Sequence, residues 1–296
     1  MTEKNYLALF AKSFNWAGFF LPKNIYHDCT KLYAFCRVLD DLVDEKTNLE
    51  LRAKRFNKVK DYFQMAYQQD AEISKLIHKY EHTSVINEMI IIADNNGIKK
   101  IVLDDLIDGV GSDLKSKVHL RSVKDLLVYS YRVAGTVGLM MAKILNVNDT
   151  RSLKGAIDLG IAMQLTNIAR DVIEDKKMER QYIKSDFENI IATLKLADMF
   201  YESSFSSIKK IPLKYRFAII VARRVYRQIG RKILNKGNME NYEKSGKIYV
   251  NNFGKIFQTF LSLFDLMILF LKNIEPHQRK REHEIISEDV NLDERI

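Results

Sequence analysis

The chain has few residues of the types that interrupt helices. Its 296 residues include only 3 prolines and 12 glycines, while 47% are hydrophobic. Because proline and glycine break helices and populate turns, their scarcity argues against a turn-rich β fold. No strand-like alternation persists, and no succession of strands and helices appears. We therefore predict an all-α fold, with breaks between helices near residues 22, 47–48, 95–97, 146–149, 212 and 236–238.

Cysteine is almost absent, and so is any clear targeting segment. The two cysteines, Cys29 and Cys36, lie seven residues apart in one helical run. That spacing separates them by about 10 Å along the helix axis, too far for a disulfide, and suits a reducing compartment. The first residues contain only a short apolar patch, with neither a signal sequence followed by a cleavage site nor an arginine-rich transit peptide. We expect a cytoplasmic protein.

Long hydrophobic runs are also missing, apart from residues 256–271. This segment is shorter than the roughly 20 residues that span a bilayer, and four polar residues interrupt it. We expect a buried helix here, with a position at a membrane interface as the alternative, which would put the protein on the inner face of the cell membrane. The net charge of +9 favours anionic partners, either diphosphates or a lipid surface. No recognised nucleic-acid-binding module accompanies the charge, so no nucleic-acid partner is expected.

Residues 275–296 differ in composition from the rest of the chain. They begin with a basic cluster at residues 279–281 and continue with several acidic residues. Such a sequence buries little apolar surface, which is typical of a solvated or disordered tail. We therefore predict a helical domain over residues 1–274 and a charged tail over residues 275–296.

Two acidic segments, residues 37–45 and 167–175, are the most informative part of the sequence. Each contains two aspartates at positions i and i+4, Asp40 with Asp44 and Asp171 with Asp175, so both carboxylates leave one face of a helix. Like charges one turn apart repel, and the neighbouring residues are apolar enough to predict buried helices. Buried carboxylates without partners are costly. The pattern therefore predicts a cation between them, Mg²⁺ bridging to a phosphate-bearing ligand.

Polar residues form one stripe on each of these two predicted helices. At about 100° per residue, each stripe spans less than a quarter turn. The stripes consist of Tyr33, Arg37, Asp40 and Asp44, and of Gln164, Asn167, Asp171 and Asp175. A solvated charged face is the usual explanation of such a stripe. Because the residues off the stripes are apolar on every side, we predict instead that both stripes face an internal cavity.

Five motifs, in this order and spacing, resemble the squalene/phytoene synthase family. They are KSF at 12–14, LYAFCRVLDDLVD at 32–44, YSYRVAGTVG at 129–138, QLTNIARDVIED at 164–175 and RQY at 180–182. The resemblance extends to about residue 272, and within the family it is most like the bacterial phytoene synthases. It implies a single all-helical domain of the isoprenoid-synthase type around a deep central cavity.

The resemblance also implies a reaction, the head-to-head condensation of two geranylgeranyl diphosphates to phytoene through a cyclopropylcarbinyl diphosphate, as in carotenoid biosynthesis. The implied cofactor is Mg²⁺, with Mn²⁺ as a substitute. NADPH is not needed for phytoene or dehydrosqualene. One alternative is the same chemistry on farnesyl diphosphate, giving dehydrosqualene or squalene. Another is a non-catalytic scaffold protein, which the retention of four mutually repelling aspartates argues against.

The family motifs carry roles over to individual residues. The resemblance implies catalytic roles for Tyr33, Arg37, Asp40, Asp44, Tyr131, Asp171 and Asp175. It implies substrate binding by Ser13, Phe14, Arg37, Gln164, Asn167, Arg170, Arg180, Tyr182 and Tyr226. It implies metal binding by Asp40, Asp44, Asn167, Asp171 and Asp175.

Some residues depart from the family pattern or imitate other sites. Ala11 replaces a serine of many relatives, and Arg132 occupies a position that is often small. Residues 104–108 imitate the first aspartate motif, but the glycines that follow favour a helix end near the cavity mouth. His78 and His82 have zinc-like spacing without a third ligand, so a solvated helix is expected. A basic stripe at residues 223, 227 and 231 is expected to face solvent, with a lipid contact as the alternative.

Overall fold

The computed structural model describes residues 12–68, 79–271 and 275–296. Their elements are almost all helices, which confirms the predicted all-α class. Ala11, His78 and the side chain of Ser13 lie outside the described part. The α-helices are α1 Lys12–Gly18, α2 Lys23–Asp44, α3 Leu49–Tyr67, α4 Thr83–Asn96, α5 Lys100–Gly111, α6 Val123–Ser130, α7 Thr136–Ile144, α8 Thr150–Lys177, α9 Phe187–Phe205, α10 Leu213–Leu234, α11 Met239–Lys244, α12 Asn252–Leu271, α13 Arg281–Ser287 and α14 Leu292–Arg295.

Four short elements complete the described ranges. A π-helical segment, Tyr131–Gly135, joins α6 to α7, and a 3-10 turn, Ser206–Lys210, follows α9. The two-residue strands β1 (Val118–His119) and β2 (Arg180–Gln181) pair in parallel, with Val118 opposite Arg180. This pairing holds the chain after α8 against the chain after α5.

Local sequence determines where the helices begin and end. The side chain of Asn48 accepts a hydrogen bond from the backbone N–H of Leu51 at the start of α3, and Asp149 does the same for Ser152 at the start of α8. Gly97 adopts a left-handed conformation, with φ of 62°, immediately after α4. The breaks predicted near residues 47–48, 95–97 and 146–149 are confirmed, as are those at residues 22, 212 and 236–238.

Helix α8 lies at the centre of the fold and approaches its neighbours very closely. A Cβ atom added to Gly138 would lie 2.2 Å from the carbonyl oxygen of Ala156, and one added to Gly160 would lie 2.1 Å from that of Ala134. Real Cβ atoms do not approach an oxygen so closely, so these crossings of the π segment and α7 with α8 require glycine. The crossings bring α7 and α8 together as two walls of one cavity.

The C-terminal segment, residues 275–296, packs against the helical domain and includes α13 and α14. The Nε2 atoms of His277 and His283 each lie 2.8 Å from a different carboxylate oxygen of Asp158, and all three residues are buried or nearly so. The backbone N–H of Lys280 donates to Nδ1 of His283 at 2.8 Å, so that ring carries its proton on Nε2, facing Asp158. The contact between His283 and Asp158 is therefore a hydrogen bond.

The prediction of a disordered tail is therefore wrong. Arg295 adds a second anchor, because its guanidinium donates to the buried Asp105 at 2.9 Å. Composition misled because the charges of this segment look solvated in sequence, whereas His277, His283 and Arg295 pair with acids buried in distant helices.

Helix α12 is oriented opposite to expectation. It is the one helix in the described ranges that is long and apolar enough to cross a membrane, and only 28% of its apolar window is buried. Its polar residues face the protein, and its apolar residues face outward. The buried side chains are Lys255, Gln258, Ser262, Asp265 and Leu269. The prediction of a buried apolar helix is wrong because its polar residues fall on one stripe, and that stripe finds partners in the core.

The basic stripe of α10 also differs from expectation at one residue. Arg223 is 4% exposed and donates to the backbone carbonyl of Tyr201 through Nε at 3.1 Å and Nη2 at 2.9 Å. Arg227, one turn later, pairs with Asp198 at 2.6 Å. The expectation of a solvated face is wrong for Arg223, because its guanidinium satisfies a buried carbonyl group.

Candidate active site

A cavity of about 1190 Å³ lies between α2, α7, α8 and α10. It exceeds the roughly 300–1,000 Å³ that is usual for a drug-sized ligand. Its lining changes in the same direction along both central helices, from apolar to acidic toward their C-terminal ends. On α2 the lining residues are Tyr26, Cys29, Leu32, Tyr33, Cys36, Arg37, Asp40, Val43 and Asp44, and on α8 they are Ser152, Gly155, Ala156, Leu159, Gly160, Met163, Gln164, Asn167, Ile168, Arg170, Asp171, Glu174 and Asp175.

The first acidic pair lies at the C-terminal end of α2. Asp40 is open to water inside the cavity, yet protein surrounds it on nearly every side, and this burial together with the charge of Asp44 raises its pKa to about 7. Arg37 forms an ion pair with Asp41, one turn away on the same helix. Asp44 accepts from Nη1 of Arg180 at 2.7 Å. Asp40 is exposed in the cavity and lines it beside Asp44, so its carboxylate is open to a ligand cation.

The second acidic pair lies at the C-terminal end of α8. Nε of Arg170 donates to Asp171 at 2.8 Å, and the ammonium of Lys247 lies 3.4 Å from the same carboxylate. Burial, followed by the charge of Asp171, raises the pKa of Asp175 to about 7. The two motifs thus repeat one arrangement, in which one aspartate has an arginine partner and the other has a raised pKa.

The residues around these pairs fit hard divalent cations. Oδ1 of Asn167 is buried and has no hydrogen-bond partner in the described structure, although buried amide oxygens are usually satisfied. Mg²⁺ takes oxygen ligands of the carboxylate and amide types. No three carboxylates of the two motifs come within 4.8 Å of one another in the described ranges. Within the described ranges the motif aspartates therefore form two pairs, each of which would offer carboxylate ligands to a cation.

Two tyrosines and an aspartate form a hydrogen-bonded group beside the acidic pairs. Tyr129 and Tyr182 stack with ring centroids 4.9 Å apart, and both hydroxyls donate to Oδ2 of Asp113, at 2.8 and 2.7 Å. Burial raises the pKa of Asp113 against the opposing effect of the Tyr182 hydrogen bond. Its other oxygen, Oδ1, is buried without a hydrogen-bond partner in the part of the chain that the structure describes. All three residues line the cavity.

Sequence reasoning missed Asp113 and the role of Tyr129. Tyr129 stood in a quoted motif, so that motif was the available signal. Asp113 follows α5, whose end was expected near the cavity mouth, and the cavity lining does include Val110 and Asp113. Only the long-range pairing of β1 with β2 brings Tyr182 to Asp113, and no local pattern encodes that contact.

Tyr131 does not line the cavity, and its predicted place in the active site is corrected. It is fully buried, and its hydroxyl donates to Asp105 at 2.9 Å, on the side that also receives Arg295. Two residues along a helix rotate a side chain by about 200°, so Tyr129 and Tyr131 cannot face the same space. Of the two tyrosines, Tyr129 is the one that lines the cavity. Arg132 is absent from the lining as well and packs against Gly109.

The structure brings the other described candidates together at the cavity. Phe14 and Tyr226 contact each other there, with ring centroids 5.0 Å apart. Burial raises the pKa of Tyr33 to about 12, so its phenol stays protonated and able to donate. Arg180 is 8% exposed and lies between Asp44 and Tyr182. Gln164 and Arg170 complete the set.

Comparison with known proteins agrees with this geometry. Residues 7–187 match the family described as squalene/phytoene synthase, which is more than half of the chain. The chain belongs to the squalene/phytoene synthase family. It is 31% identical over 259 residues to the 15-cis-phytoene synthase of Paracoccus sp. (strain N81106 / MBIC 01143), covering 79% of this chain and 81% of the relative. It is 28% identical over 260 residues to the 15-cis-phytoene synthase of Pantoea ananas, covering 78% and 81%.

Solved structures share the fold of this family member. A dehydrosqualene synthase in complex with a ligand has a TM-score of 0.64 and 25% identity, covering 88% of this chain and 94% of that one. The squalene synthase HpnC from Alicyclobacillus acidocaldarius has a TM-score of 0.62 over 76% of this chain and 89% of its own. At 17% identity the latter supports the fold alone. The predicted single all-helical domain around a central cavity is confirmed.

Proposed function

We propose that this protein is a prenyltransferase that condenses two geranylgeranyl diphosphates head to head to phytoene, through a cyclopropylcarbinyl diphosphate. The observation that carries the proposal is the polarity of the cavity, which is apolar along most of α2 and α8 and ends at two separate carboxylate pairs. An apolar chain with a diphosphate head matches both sections. Relatives named phytoene synthase support this choice of substrate.

The acidic end provides for departure of the diphosphate. Asp40, Asp44, Asn167, Asp171 and Asp175 would hold Mg²⁺, which when bound neutralises the charge that develops on a leaving diphosphate, and Mn²⁺ is a possible substitute. The arginines of both motifs already lie at this end. In the absence of substrate they pair with aspartates of the motifs. On binding, these guanidinium groups would exchange carboxylate for phosphate, which a guanidinium binds in the bidentate geometry that Arg170 already makes with Asp171.

The other side chains that line the cavity protect and stabilise the allylic cation that forms when the diphosphate leaves. Aliphatic and aromatic side chains exclude water, which would otherwise capture the cation. The rings of Phe14 and Tyr226, and the stacked pair of Tyr129 and Tyr182, line the same space, and the π face of an aromatic ring stabilises a nearby positive charge. The hydroxyls of Tyr129 and Tyr182 are held by Asp113, which fixes both rings.

A second candidate is the same condensation of two farnesyl diphosphates to dehydrosqualene or squalene. The likeness to a dehydrosqualene synthase structure at 25% identity favours it. The two candidates share the departure of diphosphate at the acidic end and differ in how much of the apolar section the chain fills, and squalene would also need a hydride from NADPH. Neither phytoene nor dehydrosqualene requires NADPH. A scaffold role without catalysis would leave the unpaired Asn167 oxygen and the two raised carboxyl pKa values without a purpose.

Product analysis tests the proposal. The purified protein is incubated with farnesyl or geranylgeranyl diphosphate, with Mg²⁺, Mn²⁺ or EDTA, and with or without NADPH. The hydrocarbons are then separated by chromatography. We expect phytoene from geranylgeranyl diphosphate with Mg²⁺ alone, and no product with EDTA. Faster formation of a 30-carbon product would favour the second candidate, and absence of pyrophosphate release from either substrate would favour the scaffold.

A further inference from the structure

The outer face of α12 is an apolar surface that nothing in the described structure covers. It consists of nine large apolar side chains, each between 46% and 79% exposed: Phe253, Ile256, Phe257, Phe260, Leu263, Phe264, Met267, Phe270 and Leu271. Its five phenylalanines alone leave roughly 500 Å² of side chain exposed, taking about half of the usual area of a phenylalanine. The largest apolar patch of an ordinary soluble monomer is about 300–600 Å² in total, so the whole face lies beyond that range.

The inner side of α12 fixes the orientation of this face. Asp265 receives Nε and Nη2 of Arg224 on α10, both at 2.6 Å, and is 7% exposed. Ser262 is fully buried, and its hydroxyl donates to the carbonyl of Gln258 at 2.8 Å. Rolling the helix to bury its apolar side would break the Asp265–Arg224 pair and leave charges unpaired. The apolar side therefore stays outward.

We propose that the outer face of α12 docks this enzyme on an anionic lipid surface, with the helix lying in the plane of the membrane interface. The helix is long enough to span a bilayer, but the Asp265–Arg224 pair ties its length along α10, which suits an interfacial position instead. The lipid surface would be a partner of the proposed synthase. The contact rests on the proposed function in one respect, which is that the function gives the reason for a membrane contact.

The cationic residues at the two ends of α12 favour an anionic lipid surface, rather than a second copy of the chain, as the partner of the outer face. At the C-terminal end of α12, the guanidinium of Arg216 lies 5.6 Å from the ring of Phe270, and the neighbouring 3-10 turn carries the exposed Lys209 and Lys210. At the N-terminal end, Lys232 lies beside the exposed Tyr249. An anionic headgroup layer complements cations at both ends of an apolar face. Two copies, each of net charge +9, would instead bring like charges together at these ends.

The outer face begins at the rim of the cavity. Residues 247–252 and Lys255 line the cavity, and they include the first residue of α12. The exposed Phe19 and Phe20, after α1, add to the apolar surface at the other end of α12, where Phe20 packs edge-on against Phe217 of α10, next to Arg216. The proposed product is a hydrocarbon that water does not dissolve, so an exit beside α12 would deliver it directly into lipid.

Flotation with vesicles tests the proposal without any catalysis. The full-length protein is mixed with phosphatidylcholine vesicles, either pure or with about 30% phosphatidylglycerol, at low and high salt. We expect it to float with the anionic vesicles at low salt, and to float less at high salt because the attraction is screened. In Phe260→Ser/Phe264→Ser, which removes two rings in contact at 5.8 Å, the bound fraction is expected to fall at least fivefold.

The chain offers a matched control and an internal reporter. Ile91 on α4 is 58% exposed, close to the 57% of Phe260, and Ile91→Ser is expected to float like the wild type. Trp16 is the only tryptophan, and its Nε1 donates to Thr259 of α12 at 3.0 Å. Its emission is therefore expected to shift to shorter wavelength when anionic vesicles are added. A second pair, Phe253→Ser/Phe270→Ser, serves if the first fails to fold in a thermal unfolding assay.

Three results would overturn the proposal. They are wild-type protein that stays at the bottom of the gradient with anionic vesicles at low salt, serine variants that float as well as the wild type, and a wild-type dimer in analytical ultracentrifugation that the serine variants dissociate while vesicles bind neither. The last would assign the face to a second copy. Pyrophosphate release in detergent tests the proposed function separately, because neither serine pair alters the cavity lining.

Discussion

Helices α8 and α12 both turn polar side chains toward the interior, and they differ in what meets those side chains. On α12, protein partners satisfy the inner stripe, since Asp265 receives two hydrogen bonds from Arg224. On α8, the stripe ends at Asn167 and Asp175. The amide oxygen of Asn167 has no hydrogen-bond partner among the described residues, and the carboxyl pKa of Asp175 is raised to about 7. The unsatisfied groups of α8 are polar and enclosed, which points to a metal and a diphosphate. Those of α12 are apolar and outward, which points to lipid.

The largest effect is expected from neutralising an aspartate of either polar stripe that lines the cavity, on α2 or on α8. Asp40→Asn or Asp171→Asn should lower turnover at least 100-fold, because charge neutralisation of the leaving group is lost. The helical fold should remain, as measured by circular dichroism. Asp61→Asn, an exposed residue on α3, is the control and should keep full activity. Near-wild-type turnover of either variant in Mg²⁺ would remove that residue from the proposed metal site.

A substitution in the inner polar stripe of α12 should lower the stability of the protein rather than its catalytic activity. Asp265→Asn leaves Arg224 without its buried partner and should lower the free energy of unfolding by about 3 kcal/mol. Phe260→Ser, on the outer side of the same helix, should change it by less than about 0.5 kcal/mol. Urea denaturation measures both. Equal effects of the two substitutions would contradict the inside-out orientation of α12.

The sequence predicted the orientation of α8 better than that of α12, because the orientation of α8 is visible in local spacing and that of α12 depends on another helix. The i, i+4 aspartates, with apolar neighbours, report an enclosed stripe through local spacing alone. Residues 258, 262 and 265 also form a stripe, but its inward direction depends on Arg224 from another helix. The same limit explains Asp113, which a strand pairing brings to Tyr182, and Asp158, which receives two histidines from beyond residue 275. Helix ends were predictable because capping residues act within one turn.

The apolar section of the cavity should set the length of the substrate chain. Ala156 lies on the lining of α8, and Ala156→Phe shortens the space below the acidic end. We expect the ratio of kcat/KM for geranylgeranyl over farnesyl diphosphate to fall about tenfold. Leu159→Met conserves volume on the same wall and should leave the ratio nearly unchanged. An equal loss of kcat/KM for both substrates in Ala156→Phe would show that this wall of the cavity does not determine the length of the substrate chain.

A smaller effect is expected in the pH dependence of stability without metal. Asp40 and Asp175 have folded-state pKa values of about 7 against 3.8 for the unfolded chain. Between about pH 4 and 7 the folded state therefore holds more protons, so unfolding free energy falls as pH rises through that window. In EDTA, the Tm should fall from pH 5.5 to 7.5, and fall less in Asp40→Asn. Identical slopes for both proteins would contradict this origin.

The central claim is that the two carboxylate pairs hold metal and diphosphate together, and thermal unfolding with Mg²⁺ and inorganic pyrophosphate tests it most directly. Because pyrophosphate would bind together with the Mg²⁺ that the aspartates hold, the two ligands should stabilise the protein jointly. We expect a Tm increase of several degrees with both present, a much smaller one with either alone, and none in Asp40→Asn/Asp171→Asn. Equal stabilisation of wild type and the double variant, or no joint effect in the wild type, would contradict the account.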